Sequence, residues 1–283
     1  MRISWIDMEK NMKKKRIIVF IIFCIVLFLF IWYENKHLVI NHYVYESEKI
    51  GEDLDGFKII QISDLHNTSF GKGNNKLLTL IKNQNPDIIV LTGDLVDSNH
   101  TNIELALEFA EAVNTICPVY FITGNHEKWL SEDDLNELLT GLNERGIIVL
   151  DNETRIISKG RTSFCLVGLD DDNLLDDILM ELLQTHENEL SVVLAHEPQY
   201  IQNYANAKAD LVLSGHAHGG QFRLPFVGGV VAPNQGFNPR YTEGMYYNDE
   251  TTMVVSRGLG NSIIPIRLFN LPEVVCVEFK IKK

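Results

Sequence analysis

Basic residues are scarce in this chain. Its 283 residues hold 25 Lys and Arg against 38 Asp and Glu, a net charge of −13. Residues 1–36 carry seven basic and three acidic residues, so residues 37–283 keep 18 and 35, a net of −17. A nonspecific nucleic-acid binder needs a basic face to neutralise phosphates, and this balance argues against one. An anionic substrate would need local positive charge, which bound metal ions can supply. Cysteine is sparse too. Cys24, Cys117, Cys165 and Cys276 form no C-x-x-C pair and read as free thiols, with a disulfide among the last three left open. Long apolar runs are limited to one, which excludes a multi-span transporter. Internal repeats and low-complexity tracts are missing. The chain beyond that run suits one large domain, and 45% hydrophobic content allows it a sizeable core.

The apolar run is IIVFIIFCIVLFLFIWY, residues 17–33. At 1.5 Å per residue it is at the short end of what crosses a bilayer core of about 30 Å. Lys13, Lys14, Lys15 and Arg16 precede it directly. That asymmetry predicts a cytoplasmic basic N-terminus (1–16) and sends the remainder across the membrane. Trp32 and Tyr33 fit an interfacial anchor at the far end. The run exceeds the apolar core of a cleaved signal peptide, about 7–15 residues, and no A-x-A-like triplet follows. Large residues around Cys24 argue against lipoprotein processing. The expectation is an uncleaved signal anchor at 17–33, a linker with a first strand at 34–56 (the strand around 38–45), and an extracytoplasmic domain at 57–283.

Within that domain, β-branched apolar runs predict strands at 57–63, 88–92, 119–123 and 147–150. Helical spacing of apolar residues predicts helices at 77–83, 103–113 and 133–142 between and after them. Such alternation implies βαβ units and an α/β fold. From about residue 153 the pattern turns β-rich, with candidate strands at 154–158, 163–168, 191–195, 211–214, 252–256 and 273–280. A helix is expected at 174–185. The Gly- and Pro-containing stretch 219–245 reads as a long loop or hairpin.

Five short clusters of metal-binding side chains stand at the ends of five strand-like runs. They are Asp64-Leu65-His66, Gly93-Asp94, Gly124-Asn125-His126-Glu127, His196-Glu197-Pro198 and Gly215-His216-Ala217-His218. A ligand at a strand end projects at the carboxyl edge of the sheet, where α/β folds place their chemistry. In Asp64-x-His66 the i and i+2 side chains share a face. Taken singly, Asp-x-His and Gly-Asp are weak signals; the two histidines between glycines at 215–220 are stronger. Order and spacing together read as a two-metal hydrolytic site.

With these motifs the chain resembles the calcineurin-like metallophosphoesterases, whose pattern runs D-x-H, G-D, G-N-H-[DE], a lone His, then G-H-x-H. Every element is present across residues 64–218, and Ala217 fills a variable position. The segments Ser256-Arg257-Gly258-Leu259-Gly260, Pro265-Ile266-Arg267, and Gly219-Gly220-Gln221 with Leu224-Pro225 are similar to the membrane-anchored bacterial phosphodiesterase branch. The resemblance implies a four-layer α/β-β/α sandwich of two mixed sheets flanked by helices, here with an N-terminal transmembrane helix. It assigns Asp64, His66 and His218 to a first metal, Asn125, His196 and His216 to a second, and Asp94 as the bridge. Mixed imidazole and oxygen donors suit two divalent ions of Mn, Fe or Zn better than Ca²⁺.

The implied chemistry is hydrolysis of a phosphate ester by in-line attack of a hydroxide bridging the two ions. Asp94 and His126 are the catalytic residues, His126 serving the leaving group as general acid or holding the charged transition state. Glu127 is expected to orient a histidine. Arg257 has two readings, a substrate-phosphate contact or a buried ion pair. The substrate class is a phosphodiester, lipid-linked or envelope-derived, because the anchor holds the domain near headgroups. Phosphomonoester hydrolysis by the same site, or a non-catalytic metal-binding scaffold, are the alternatives.

Overall fold

Alternation of side chains along the strands builds the architecture. The computed structural model describes residues 5–175, 177–261 and 265–282, with side chains from residue 8 onward. Residues 1–4 of the basic N-terminus lie outside the described residues. Helix α1 (Trp5–Lys36) leads directly into strand β1 (Val39–Ser47). There follow β2 (Lys58–Ile62), α2 (Asn75–Lys82), β3 (Ile88–Thr92), α3 (Ile103–Asn114), β4 (Val119–Ile122), α4 (Asn125–Lys128), α5 (Glu132–Glu144) and β5 (Ile148–Val149). The second half comprises β6 (Glu153–Lys159), β7 (Thr162–Gly168), α6 (Ile178–Gln184), β8 (Ser191–Leu194), α7 (Ile201–Asn206) and β9 (Leu211–Ser214). Two small hairpins come next, β10 (Arg223–Leu224) with β11 (Gly228–Gly229) and β12 (Val231–Ala232) with β13 (Gly236–Phe237). The chain ends with β14 (Gly244–Asn248), β15 (Thr251–Val255) and β16 (Glu273–Ile281).

Two six-stranded mixed sheets result, β1-β16-β2-β3-β4-β5 and β14-β15-β9-β8-β7-β6. On the first sheet Ile60, Ile62, Ile89, Leu91, Val119 and Phe121 face outward onto Leu77, Phe109, Leu138 and Leu142 of α2, α3 and α5. Their neighbours Ile59, Val90, Tyr120 and Ile122 face inward. There they meet Phe164, Leu166, Val192, Leu194, Leu211 and Leu213 of the second sheet. The outer face of the second sheet, with Val167, Val193, Val212 and Met253, packs on Leu179, Leu183, Ile201 and Tyr204 of α6 and α7. Period-2 alternation thus buries both faces of each sheet and makes four layers. Each fully buried Leu, Ile or Phe contributes about 1.5–3 kcal/mol by leaving water.

The 38–45 strand is an edge strand of the first sheet, paired in parallel with β16 from Val39↔Glu273 to Ser47↔Ile281. Tyr45, Ile50 and Leu54 from the 34–56 segment are buried in the core between the sheets. The helix expected at 174–185 is shorter, preceded by a 3₁₀ turn at Asp171–Asn173. Helices α4 and α7, of four and six residues, are too short to show a helical period. β14 (GMYYN) lacks apolar–polar alternation and escapes the same test. Cys24, Cys117, Cys165 and Cys276 are free thiols, with Cys165 and Cys276 buried.

Candidate metal centre

All five clusters meet at one sheet edge. β2, β3 and β4 run parallel in the first sheet, and β8 and β9 run parallel in the second. Their carboxyl ends deliver Asp64, Asp94, Asn125, His196 and His216 to one place. Backbone hydrogen bonds stitch the loops together there. Asp64 N donates to Gly93 O (3.1 Å), His66 N to Asp94 O (3.0 Å) and Gly215 N to His196 O (2.9 Å).

Two groups of donor atoms form, each with its atoms within 4.8 Å of one another. The first is Asp64, His66, Asp94 and His218; the second is Asp94, His196 and His216. Asp94 belongs to both. Its Oδ2 lies 3.5 Å from His66 Nε2 and 3.3 Å from His196 Nε2. His218 Nε2 lies 3.5 Å from Asp64 Oδ1 and 3.2 Å from His66 Nε2. Asn125 Oδ1 joins the second group, 3.1 Å from His196 Nε2 and 2.8 Å from His216 Nδ1. The structure thus gathers all seven residues that the motifs marked as ligands.

Backbone geometry shows how tightly these side chains are aimed. Asp64, His66, Asp94, His216 and His218 all have φ between 45° and 64°. For non-glycine residues this left-handed region costs about 1–2 kcal/mol each and clusters at functional sites. Gly93 has φ 84°, and a Cβ there would strike His196 Nδ1 and the Gly124 backbone. A Cβ on Gly215 would collide with Ser63 Oγ and Asp64 Oδ2.

The donor set fits divalent cations. His196 Nδ1 faces the Thr92 carbonyl at 2.8 Å, and a carbonyl only accepts, so Nδ1 carries the proton. The Nε2 lone pair of the neutral ring then points at two oxygens, Asp94 Oδ2 and Asn125 Oδ1. Acceptors packed this closely in a buried site repel one another unless positive charge lies among them. Either a second proton on His196 or a cation supplies it. The pKa directions agree. Burial opposes charge on His196, but Asp94, by charge and hydrogen bond, raises its pKa well above the usual range. Burial likewise opposes the Asp94 charge, yet His196 and then His66 hold that carboxyl below the ordinary range. Burial, then the His218 charge, takes His66 down to about 3; burial, then Arg267, does the same to His218. Burial, then His196, also lowers His216. Neutral imidazoles are the form that ligates metal.

Surrounding residues fix this arrangement. Glu127 is fully buried and accepts three backbone N–H bonds: Oε2 from Asp94 and Gly124 (2.8 Å each) and Oε1 from Val96 (3.1 Å). It therefore clamps the Gly-Asp and Gly-Asn loops together, where a histidine partner was expected. Burial and then the Asp94 charge push its carboxyl up to about 8, against the pull of those three donors. The oriented histidine is His216, whose Nε2 lies 3.7 Å from Glu197 Oε1 and 3.3 Å from Asn234 Nδ2. His126 is buried and its ring sits 4.5 Å from that of His66. Its Nδ1 accepts the Ser98 backbone N–H at 3.1 Å, which leaves Nε2 as the protonated nitrogen of the neutral ring. Arg257 takes the ion-pair alternative, its Nε 3.2 Å from Glu273 and 3.3 Å from Glu243.

Sequence reasoning assigned no role to several neighbours. Arg267, fully buried, donates to the Gly260 and Arg257 carbonyls behind Asp64. Asn270 donates to the carbonyls of His218 (2.7 Å) and Gln221 (3.1 Å). Asn234 holds both oxygens of Glu197 at 3.1 Å. Asp171 follows β7 as the ligands follow their strands, so the strand-end rule could have found it. Burial, with His196 opposing and Glu197 and Asp94 reinforcing, pushes its carboxyl up to about 7. Asn234 sits in a turn and Arg267 and Asn270 in irregular segments, and nothing local points to the site.

Comparison with known proteins is consistent with this geometry. The sequence profile described as Calcineurin-like phosphoesterase matches residues 57–220. The uncharacterized metallophosphoesterase YkoQ of Bacillus subtilis (strain 168) is 32% identical over 219 residues, 76% of this chain and 81% of that protein. The phosphodiesterase YaeI of Escherichia coli (strain K12) is 31% identical over 230 residues, 78% of this chain and 82% of that one. A transmembrane protein with metallophosphoesterase domain from Danio rerio is 29% identical over 250 residues, 82% of this chain and 55% of its own length.

Proposed function

The chain belongs to the calcineurin-like phosphoesterase family, and on that premise we propose that it is a membrane-anchored, two-metal phosphodiesterase. The observation that carries the reading is the pair of donor groups sharing Asp94 at the carboxyl edges of both sheets. Asp64, His66, Asp94 and His218 would hold one divalent ion, and Asp94, Asn125, His196 and His216 the other, with Mn, Fe or Zn suited to such donors. When bound, the ions supply Lewis acidity toward phosphoryl oxygens and acidify a water able to attack phosphorus. Thr92 O locks the tautomer and ring orientation of His196, and Asn234, itself held by Glu197, sits against Nε2 of the His216 ring. His126, with Nδ1 committed to Ser98 N–H, presents its Nε2–H as a hydrogen-bond donor that holds the charge developing on the leaving-group oxygen.

Preference for a diester is supported by the likeness to YaeI, a protein named as a phosphodiesterase. Anchoring is supported by α1. Among the described residues it is the one helix long and apolar enough to cross a membrane, from Met8 to Lys36, and it is almost wholly exposed. Lys13 to Arg16 then set the N-terminus in the cytoplasm and the metal centre outside it. The likeness to a protein named as transmembrane supports the anchor itself. Residues 57–283, with the edge strand β1, form the catalytic domain.

The test compares a chromogenic phosphodiester with the matching monoester, using full-length protein stripped of metal and refilled with Mn²⁺. Diester cleavage that needs the metal and vanishes in Asp94→Ala is the expected result. Monoester cleavage alone makes the protein a phosphatase. Turnover of neither, with two metals bound, points to a scaffold.

A further inference from the structure

The topology fixes where the membrane helix enters. β1 runs parallel to β16, and β16 runs antiparallel to β2. The amino end of β1 therefore lies at the sheet edge where β2, β3 and β4 end in Asp64, Asp94 and Asn125. Only His37 and Leu38 separate α1 from β1, so the helix passes into the sheet almost without a connection. The last turn of α1 is also bonded to the domain. Glu34 is buried, and its Oε2 accepts the Asn270 N–H at 2.9 Å. Asn35 Oδ1 accepts from Asn261 Nδ2 (2.8 Å) and Arg267 N (3.2 Å). Phe30 packs on Phe269 with ring centroids 5.5 Å apart. Asn270 in turn donates to the carbonyl of His218. One residue thus connects the end of the membrane span to a metal-ligand histidine.

A second apolar element hangs from the same joint. The β10–β11 hairpin is tied to Leu268 by the Phe222↔Leu268 bridge and by Arg223 N donating to Leu268 O at 2.9 Å. Its tip exposes Leu224, Phe226 and Val227, and Phe226 is fully exposed. Phe269 beside it is half exposed. Phe269 joins this cluster to the apolar surface of α1 through Phe30, and Trp32 and Tyr33 are also exposed where the span ends. An exposed apolar cluster continuous with a membrane span has the bilayer as its natural occupant.

We propose that α1 is a rigid mount, and that the 223–229 hairpin with Phe269 sinks into the same leaflet. The metal centre then opens onto the headgroup layer, and its substrate is a phosphate ester carried by a membrane lipid. The substrate part rests on the phosphodiesterase reading above; the mounting does not.

Full-length protein in phosphatidylcholine–phosphatidylglycerol vesicles tests both. In a Cys24→Ala, Cys117→Ala background, a nitroxide at Phe226→Cys is compared with one at Tyr247→Cys, an exposed position on β14. The 226 label should be open to oxygen and shielded from an aqueous nickel chelate, with the 247 label the reverse. Phe226→Asp with Val227→Asp should lower kcat/KM for a phosphodiester lipid in the same vesicles at least about tenfold, since each buried apolar side chain is worth that or more. Hydrolysis of a soluble chromogenic diester should stay unchanged. A 226 label as water-accessible as the 247 label overturns the mounting, even if the soluble diester is cleaved. A buried label with neither ester cleaved refutes the phosphodiesterase reading and leaves the mounting standing. Equal loss on both esters refutes the lipid substrate.

Discussion

Glu127→Gln separates two forces that the structure sets against each other. Three backbone N–H groups point at the carboxylate, from Asp94, Gly124 and Val96. A glutamine keeps one acceptor oxygen. Turned toward Asp94 and Gly124, it retains two of the bonds, and its NH₂ confronts the Val96 N–H. One bond is lost and a buried donor is left unmatched, a cost of about 1–3 kcal/mol. For a domain of this size that lowers Tm by about 2–12 °C. The loops it clamps carry Asp94 and Asn125, so Mn²⁺ affinity should fall about 10–100-fold. Thermal unfolding and Mn²⁺ titration calorimetry measure both.

The pH dependence shows which force wins. If burial dominated, the folded pKa of about 8 would exceed the unfolded value of 4.5. Wild-type stability relative to Gln would then fall steadily as pH rises from about 4.5 to 8. If the three donors dominated, the wild-type advantage would instead be flat between about pH 5 and 9; the raised carboxyl predicts the fall. Equal Tm and equal Mn²⁺ affinity at pH 7 would refute the clamp.

Other outcomes follow from the same geometry. His126→Ala should keep its metals and lose about 10²–10⁴ in diester turnover, the usual share of a side chain that serves the leaving oxygen; near-normal turnover would remove it from the mechanism. Gly215→Ala places a methyl against Ser63 Oγ and Asp64 Oδ2, so metal content by elemental analysis should drop with the fold retained by circular dichroism. Stripping the metals should lower Tm, because binding selects the folded state, and refilling should restore it. An unchanged Tm would mean that the donor groups hold no tightly bound ion.

Local chemistry made much of this protein legible in its sequence. A β-branched run followed by Asp, His or Asn is a strand with a candidate ligand at its carboxyl end, and all seven residues marked from these clusters meet in the structure. The apolar run behind Lys13–Arg16 needed only counting. Short elements such as α4, α7 and β14 were not legible, because four to six residues carry no period. The role of Glu127 was out of reach, since its partners include the backbones of Asp94 and Val96, and a sequence does not show where distant N–H groups point. Asn234 stands on a turn that looks like any other until the fold sets it against His216 and Glu197. The membrane joint shows the division most plainly. The sequence determined that a helix long and apolar enough to cross a membrane exists, through the apolarity of residues 17–33. Only the tertiary structure decided where that span meets the metal centre, because the parallel pairing of β1 with β16 joins segments more than 200 residues apart.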